Sequence, residues 1–97
     1  MTTISVVDTD KYTIVTYANG DKEWYKKNTF ALHREDGPAI EYANGNKEWW
    51  QNNLNHRLDG PAVDHINGTK LWYYKGNQIH CSSQEEFEKI LKLKVFW

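Results

Sequence analysis

Short runs of β-branched and aromatic residues, separated by small polar clusters, make up most of this chain. Ile4-Ser5-Val6-Val7 stops at Asp8-Thr9-Asp10, and Tyr12-Thr13-Ile14-Val15-Thr16-Tyr17-Ala18 stops at Asn19-Gly20. Runs of this length and content, bounded by turn residues, read as strands. Asn-Gly between two such runs is a strong hairpin signal, because a type I′ turn needs positive φ at both central residues. The pair returns at Asn44-Gly45 and Asn67-Gly68, and its flank returns with it as Lys22-Glu23-Trp24-Tyr25, Lys47-Glu48-Trp49-Trp50 and Lys70-Leu71-Trp72-Tyr73. Three copies at spacings of 25 and 23 residues indicate supersecondary units placed in a row.

A second block recurs between the hairpins. His33-Arg34-Glu35-Asp36-Gly37-Pro38-Ala39 is echoed by His56-Arg57-Leu58-Asp59-Gly60-Pro61-Ala62. Asp-Gly-Pro turns the chain into the next strand, with Pro fixing φ and lacking a donor. Asn52-Asn53 and Lys75-Gly76-Asn77 provide tight connections, Asn being tolerant of left-handed backbone. The first unit carries two extra residues at this point, within 26–31, so its loop is expected to be longer or bulged. The expected architecture is mainly β: an antiparallel meander of repeated β-hairpins, about eight to ten strands, ending in one α-helix. Ser82-Ser83-Gln84-Glu85-Glu86 carries an N-cap followed three residues on by Glu, a capping-box pattern, and Phe87, Ile90 and Leu91 lie on one side at helical spacing. That helix should run from about 83 to 94 and either cap the last repeat or lie over one sheet face. Leu93, Val95, Phe96 and Trp97 would extend its apolar side. Residues 1–97 form a single domain in this reading, with a three-hairpin sheet over 1–81 and a capping helix and tail over 82–97.

Strand periodicity sorts the side chains. A two-residue turn at Asn44-Gly45 pairs Tyr42 with Lys47, Glu41 with Glu48 and Ile40 with Trp49. One face then carries Ile40, Tyr42 and Trp49, with Val15, Tyr17, Trp24, Val63, His65 and Trp72 at equivalent places, and is assigned to the core. The other carries Tyr25, Trp50 and Tyr73 among Glu23, Glu48 and Asp64. This aromatic stripe is either covered by the helix or is the working surface for another protein, since interfaces are enriched in Tyr and Trp.

Charge is balanced at −1 with no basic block, which disfavours a nucleic-acid binder working through phosphate neutralisation. One cysteine, Cys81, excludes an intramolecular disulfide and suits a reducing compartment. With neither a signal-like nor a membrane-length apolar run, the expected location is cytoplasmic. No cofactor is implied. Arg34 and Arg57, with His33 and His56, could clamp a small anionic ligand. Alternatively, each Arg pairs with Asp36 or Asp59 in a ladder locking one repeat to the next, and recurrence in the unit favours that structural role. His33, His56 and His80 recur in register but on strands too far apart to share a metal. Cys81 precedes the helix N-terminus, where a dipole can lower a thiol pKa, yet His80 points away from it. Glu41 and Glu48, paired across a hairpin, sit too close for a water-activating carboxylate pair. No enzyme is expected.

The run from Leu32 to His80, with its two His-Arg-x-Asp-Gly-Pro-Ala blocks, resembles the repeats of many small bacteriophage and large-virus proteins, which are similar to the MORN-like repeats of bacterial YwqK-type proteins. The resemblance covers roughly 12–81 and implies a solenoid-like sheet of hairpins without a shared enzymatic activity. The first unit lacks a preceding block and the last stops at Ile79-His80, as end units would. A phage setting implies an inhibitor of a host defence protein, such as an anti-CRISPR or other anti-defence factor, acting in the host cytoplasm. The alternatives are a sponge for an anionic or nucleotide signal and a purely structural repeat that assembles with itself as a homo-oligomer.

Overall fold

The structure, a computed structural model, describes residues 2–93. Its elements run β1 (Thr3–Asp8), β2 (Tyr12–Tyr17), β3 (Lys22–Lys26), β4 (Ile40–Glu41), β5 (Lys47–Glu48), β6 (Trp50–Gln51), β7 (Leu54–Asn55), β8 (Val63–Asp64), β9 (Lys70–Tyr74), β10 (Asn77–Ile79) and α1 (Gln84–Leu93). Eight strands form one sheet in the order β1-β2-β3-β4-β5-β8-β9-β10, and β6 pairs with β7 in a ladder of its own. Every pairing is antiparallel. The chain is thus mainly β, a meander of hairpins with one C-terminal helix.

The repeat is visible in how each long strand divides its partners. In β9, Lys70 and Leu71 pair with β8, while Trp72, Tyr73 and Tyr74 pair with β10. Residues 47–51 do the same: β5 pairs with β4 and β8, and β6, one residue further on, pairs with β7. In β3, Lys22 and Glu23 pair with β4, and Tyr25 bridges to Leu32. The His-Arg-x-Asp-Gly-Pro segment is the excursion between those two half-partners.

The turns correct one expectation and explain it. The three Asn-Gly hairpins are not type I′. In each, the Gly N–H donates to the carbonyl three residues back, Gly20 to Tyr17, Gly45 to Tyr42 and Gly68 to His65. Only the glycine has positive φ, at 97°, 98° and 94°, which is a type I turn closed by a left-handed bulge residue in a three-residue loop. Asn stabilises this turn through its side chain: Asn19, Asn44 and Asn67 Oδ1 accept the N–H two residues on at 2.9–3.0 Å. The residue after Gly then ties neighbouring turns together, with Asp21 Oδ1 accepting Ala43 N–H and Asn46 Oδ1 accepting Ile66 N–H. The tight two-residue loops lie at the other end of the hairpins. Asn52 and Asn53 have φ of 49° and 67°, and Lys75 and Gly76 have 48° and 85°.

One extra loop residue shifts the register by one, so Ile40 faces Glu48 and Glu41 faces Lys47. A one-residue slip sends a strand's side chains to the other face. The first expected face therefore breaks up. Trp24, Trp49 and Trp72 share a side with Lys22, Lys47, Lys70, Glu41 and Asp64. Val15, Tyr17, Ile40, Tyr42, Val63 and His65 join Glu23, Glu48, Tyr25, Trp50 and Tyr73 on the opposite side. Glu41 and Glu48 are consequently on opposite faces. We call the first side the clasp face and the second the open face.

Helix α1 starts as its capping box dictates. Ser83 Oγ accepts Glu86 N–H at 3.1 Å, and the Glu86 carboxylate accepts Ser82 N–H at 2.9 Å. It buries Phe87 completely against Trp72 and Ile79, with Tyr74, Cys81, Ile90 and Leu91 around them. Trp72 and Ile79 pair across β9 and β10 on the clasp face, so the helix caps the last repeat there. Val95, Phe96 and Trp97 lie outside the described residues.

Candidate functional site

The His-Arg-x-Asp-Gly-Pro-Ala block folds into a clasp whose every position has a physical reason. Arg57 lays its guanidinium over the Trp49 ring, 3.7 Å from the centroid. It donates from Nε to Asp59 Oδ1 at 2.8 Å and from Nη1 to the Pro61 carbonyl at 3.1 Å. The other side of the guanidinium rests on Gly60, where a Cβ would stand 2.7 Å from Cζ. Arg34 repeats this over Trp24 at 4.1 Å, bonded to Asp36 and the Pro38 carbonyl and reaching Glu41 at 3.4 Å. Its hydrogen bond holds the Asp36 carboxyl below the ordinary carboxylate value, as Arg57 does for Asp59. Ala39 and Ala62 are fully buried beneath. The last repeat lacks the Arg, and Gln84 of α1 takes its place by accepting Trp72 Nε1–H at 2.8 Å.

The histidines hold the next hairpin. His33 Nδ1 accepts Asn52 N–H at 3.0 Å and His56 Nδ1 accepts Lys75 N–H at 2.9 Å, so each serves a left-handed turn of the following unit. Burial lowers both pKa values below 6.5, favouring the neutral ring that can accept. The Arg–Asp pairs lie within their own loops and do not lock repeat to repeat. That work falls to the histidines and to backbone bonds such as Arg34 N–H to the Trp50 carbonyl.

Of the anion-binding candidates, Arg34, Arg57 and His56 share a groove of about 610 Å³ with Glu35, Asp36, Gly37, Trp49, Gln51, Leu58 and Asp59. His33 lines a different groove beside Lys11, Lys26 and Lys27. In the shared groove two guanidinium groups meet three carboxylates, and both guanidinium groups are already bonded to Asp. Among the described residues no group of three or more His, Cys, Asp or Glu converges as metal ligands would. Cys81 is half-buried, and burial and then Glu86 push its thiol up rather than down, the reverse of what a reactive thiol needs.

The expected surface residues Tyr25, Trp50 and Tyr73 do lie together on the open face, all half-buried. The helix leaves them uncovered, because its packing partners Trp72 and Ile79 are on the clasp face. Carboxylates organise the rings. Tyr17 and Tyr25 hydroxyls both donate to Glu23 Oε1 at 2.6 Å. Trp50 Nε1–H donates to Glu48 Oε1 at 3.1 Å and the Tyr42 hydroxyl to Oε2 at 3.4 Å. Burial and then the Glu23 bond raise the Tyr25 phenol well above its ordinary value, and the Glu23 bond raises that of Tyr17. His65 Nε2 lies 3.6 Å from Glu48 Oε2, buried and without a hydrogen bond. In the third repeat Leu71 occupies the glutamate position. Asp64, expected here, pairs with Lys70 at 2.8 Å on the clasp face.

Sequence reasoning missed Tyr17, Tyr42 and His65 as members of this surface. The cause is the three-residue loop at each Asn-Gly, which the pair itself does not distinguish from a two-residue one. Comparison with protein-family models, with curated proteins and with solved structures returns no match for this chain. Among the described residues no helix is long and apolar enough to cross a membrane.

Proposed function

We propose that this chain is a non-enzymatic protein-binding module that meets its partner with the open face around Tyr25, Trp50 and Tyr73. One observation carries the reading: the repeat sets three large rings in line on a sheet face that the helix leaves free, while clasps and helix occupy the other side. Tyr25 and Trp50, half-buried and anchored by hydrogen bonds to Glu23 and Glu48, lose little conformational entropy on contact. The resemblance to phage and MORN-like repeats points to use against a host defence protein, in the cytoplasm of the infected cell. A sponge for an anionic nucleotide is the weaker alternative, because the Arg34–Arg57 groove has no surplus positive charge. The test is capture from native lysate with wild type and with a combined Tyr25→Ser, Trp50→Ser, Tyr73→Ser variant, analysing proteins and co-purifying nucleotides. A protein held by wild type alone supports the reading. A nucleotide lost with Arg57→Ala, but kept by the aromatic variant, replaces it with the sponge.

A further inference from the structure

We infer that the partner presents a cationic segment, Arg- or Lys-rich, to the open face; this rests on that face being the contact surface. The shifted register separates charge between the two sides of the sheet. Every lysine within a strand, Lys22, Lys26, Lys47 and Lys70, falls on the clasp face with Trp24, Trp49 and Trp72. Carboxylates there find cations, Glu41 with Arg34 and Asp64 with Lys70. Glu23 and Glu48 face the other way. Their hydrogen bonds come from Tyr17, Tyr25, Tyr42 and Trp50, all neutral donors. No Lys or Arg forms an ion pair with either among the described residues, and the one basic side chain set against them there is His65, 3.6 Å from Glu48.

Two half-buried carboxylates without a basic partner, set between aromatic rings, suit an incoming guanidinium or ammonium group in two ways. The carboxylate accepts its N–H donors as charge-assisted bonds. The ring faces attract the cation itself, most strongly for Trp and where water is excluded. Glu23 and Glu48 both pair with Ile40 of β4, from opposite sides, so about two strand spacings, roughly 10 Å, separate them. One extended peptide can therefore reach both. An acidic segment or a nucleic-acid backbone would meet these carboxylates unfavourably.

Hexa-arginine, hexa-lysine and hexa-glutamate amides, titrated into the full chain and followed by ¹⁵N–¹H NMR, test this. Hexa-arginine should shift the Trp50 indole and the backbone signals of Tyr25 and Tyr73, leaving the Trp24 and Trp72 indoles in place. Hexa-glutamate should shift none of them. A Glu23→Gln, Glu48→Gln variant, shown folded by its own spectrum, should weaken binding about tenfold or more, and raising salt on wild type should weaken it similarly. The salt and peptide-sign arms need no variant, so a folding defect cannot hide the answer. No shift with either cationic peptide, shifts confined to the clasp face, or binding equal in the Gln variant would each overturn the inference. A captured protein that needs Tyr25, Trp50 and Tyr73 but ignores Glu23→Gln, Glu48→Gln and high salt overturns the cationic partner alone. One that ignores the aromatic residues overturns the open-face reading as well.

Discussion

Gly60→Ala asks whether the Arg clasp is the reason for the repeated motif. A methyl group at this position would stand 2.7 Å from Arg57 Cζ and 2.9 Å from Nη1, and the backbone there is outside the left-handed region. Alanine is therefore excluded by the guanidinium and not by φ. The methyl fits only if the Arg57 guanidinium shifts, so the cost is capped by what Arg57 gains where it is. Stacking on the half-buried Trp49 ring contributes about 1 kcal/mol, and the bond to the Pro61 carbonyl about 1 to 1.5 kcal/mol. The pair with Asp59, whose side chain is 86% exposed, adds about 0 to 1 kcal/mol. The loss is therefore at most about 2–3.5 kcal/mol, which for a chain of 97 residues lowers Tm by no more than roughly 10–25 °C. Urea and thermal unfolding, followed by Trp fluorescence and far-UV circular dichroism, should be run on wild type, Gly60→Ala, Arg57→Ala and the double variant. With Arg57 already truncated, Gly60→Ala should cost nothing measurable, or stabilise by ~0.5 kcal/mol by narrowing the unfolded ensemble. Equal cost in both backgrounds refutes the clasp account, because additivity would mean that the methyl and the guanidinium do not compete for the same space.

Three other outcomes are expected. Lys75→Asn should stabilise by about 0.5–1 kcal/mol, since Lys75 sits at φ 48°, where Asn is tolerated better than Lys; an unchanged urea midpoint would deny that the turn is strained. Phe87→Ala should cost about 3–5 kcal/mol, because that ring is fully buried between helix and last repeat, whereas Trp50→Ser should change binding more than stability; similar unfolding curves for the two would show that the helix does not cap the sheet. Acid should act first through His33 and His56, whose pKa values are lowered by burial from 6.5. The unfolded chain binds more protons there, so their contribution is intact above pH 6.5 and fades as pH falls through the depressed folded values. Thermal melts across that range, with His33 and His56 titrated by NMR, check it, and a Tm that rises on acidification contradicts the acceptor role.

How much of this was legible in the chain differs by element. The repeat, the strands, a helix start within Ser82-Ser83-Gln84-Glu85-Glu86 and the left-handed turn at Asn52-Asn53 follow from local chemistry, because turn residues, β-branched runs and a capping box act over a few neighbouring positions; that Ser83 is the cap is seen only in the structure. Tyr25, Trp50 and Tyr73 were correctly grouped on one face because their spacing within the repeat is constant. What failed was the register across Asn44-Gly45. Asn-Gly serves both a two-residue type I′ loop and a three-residue loop ending in a left-handed Gly, and the sequence pair alone does not choose. In the structure all three turns are the three-residue loop, and Asp21 and Asn46 of the first two also bond the turn of the next repeat.

The amino-acid sequence by itself thus determined the class of fold, its period and the position of its helix, all products of short-range preference. Tertiary structure alone decided which side chains on the two sides of each Asn-Gly turn share a face, because the extra loop residue shifts the pairing across the turn by one. From that shift come the arginine clasps over Trp24 and Trp49 on one side. On the other come the carboxylates Glu23 and Glu48, held among rings without a basic partner.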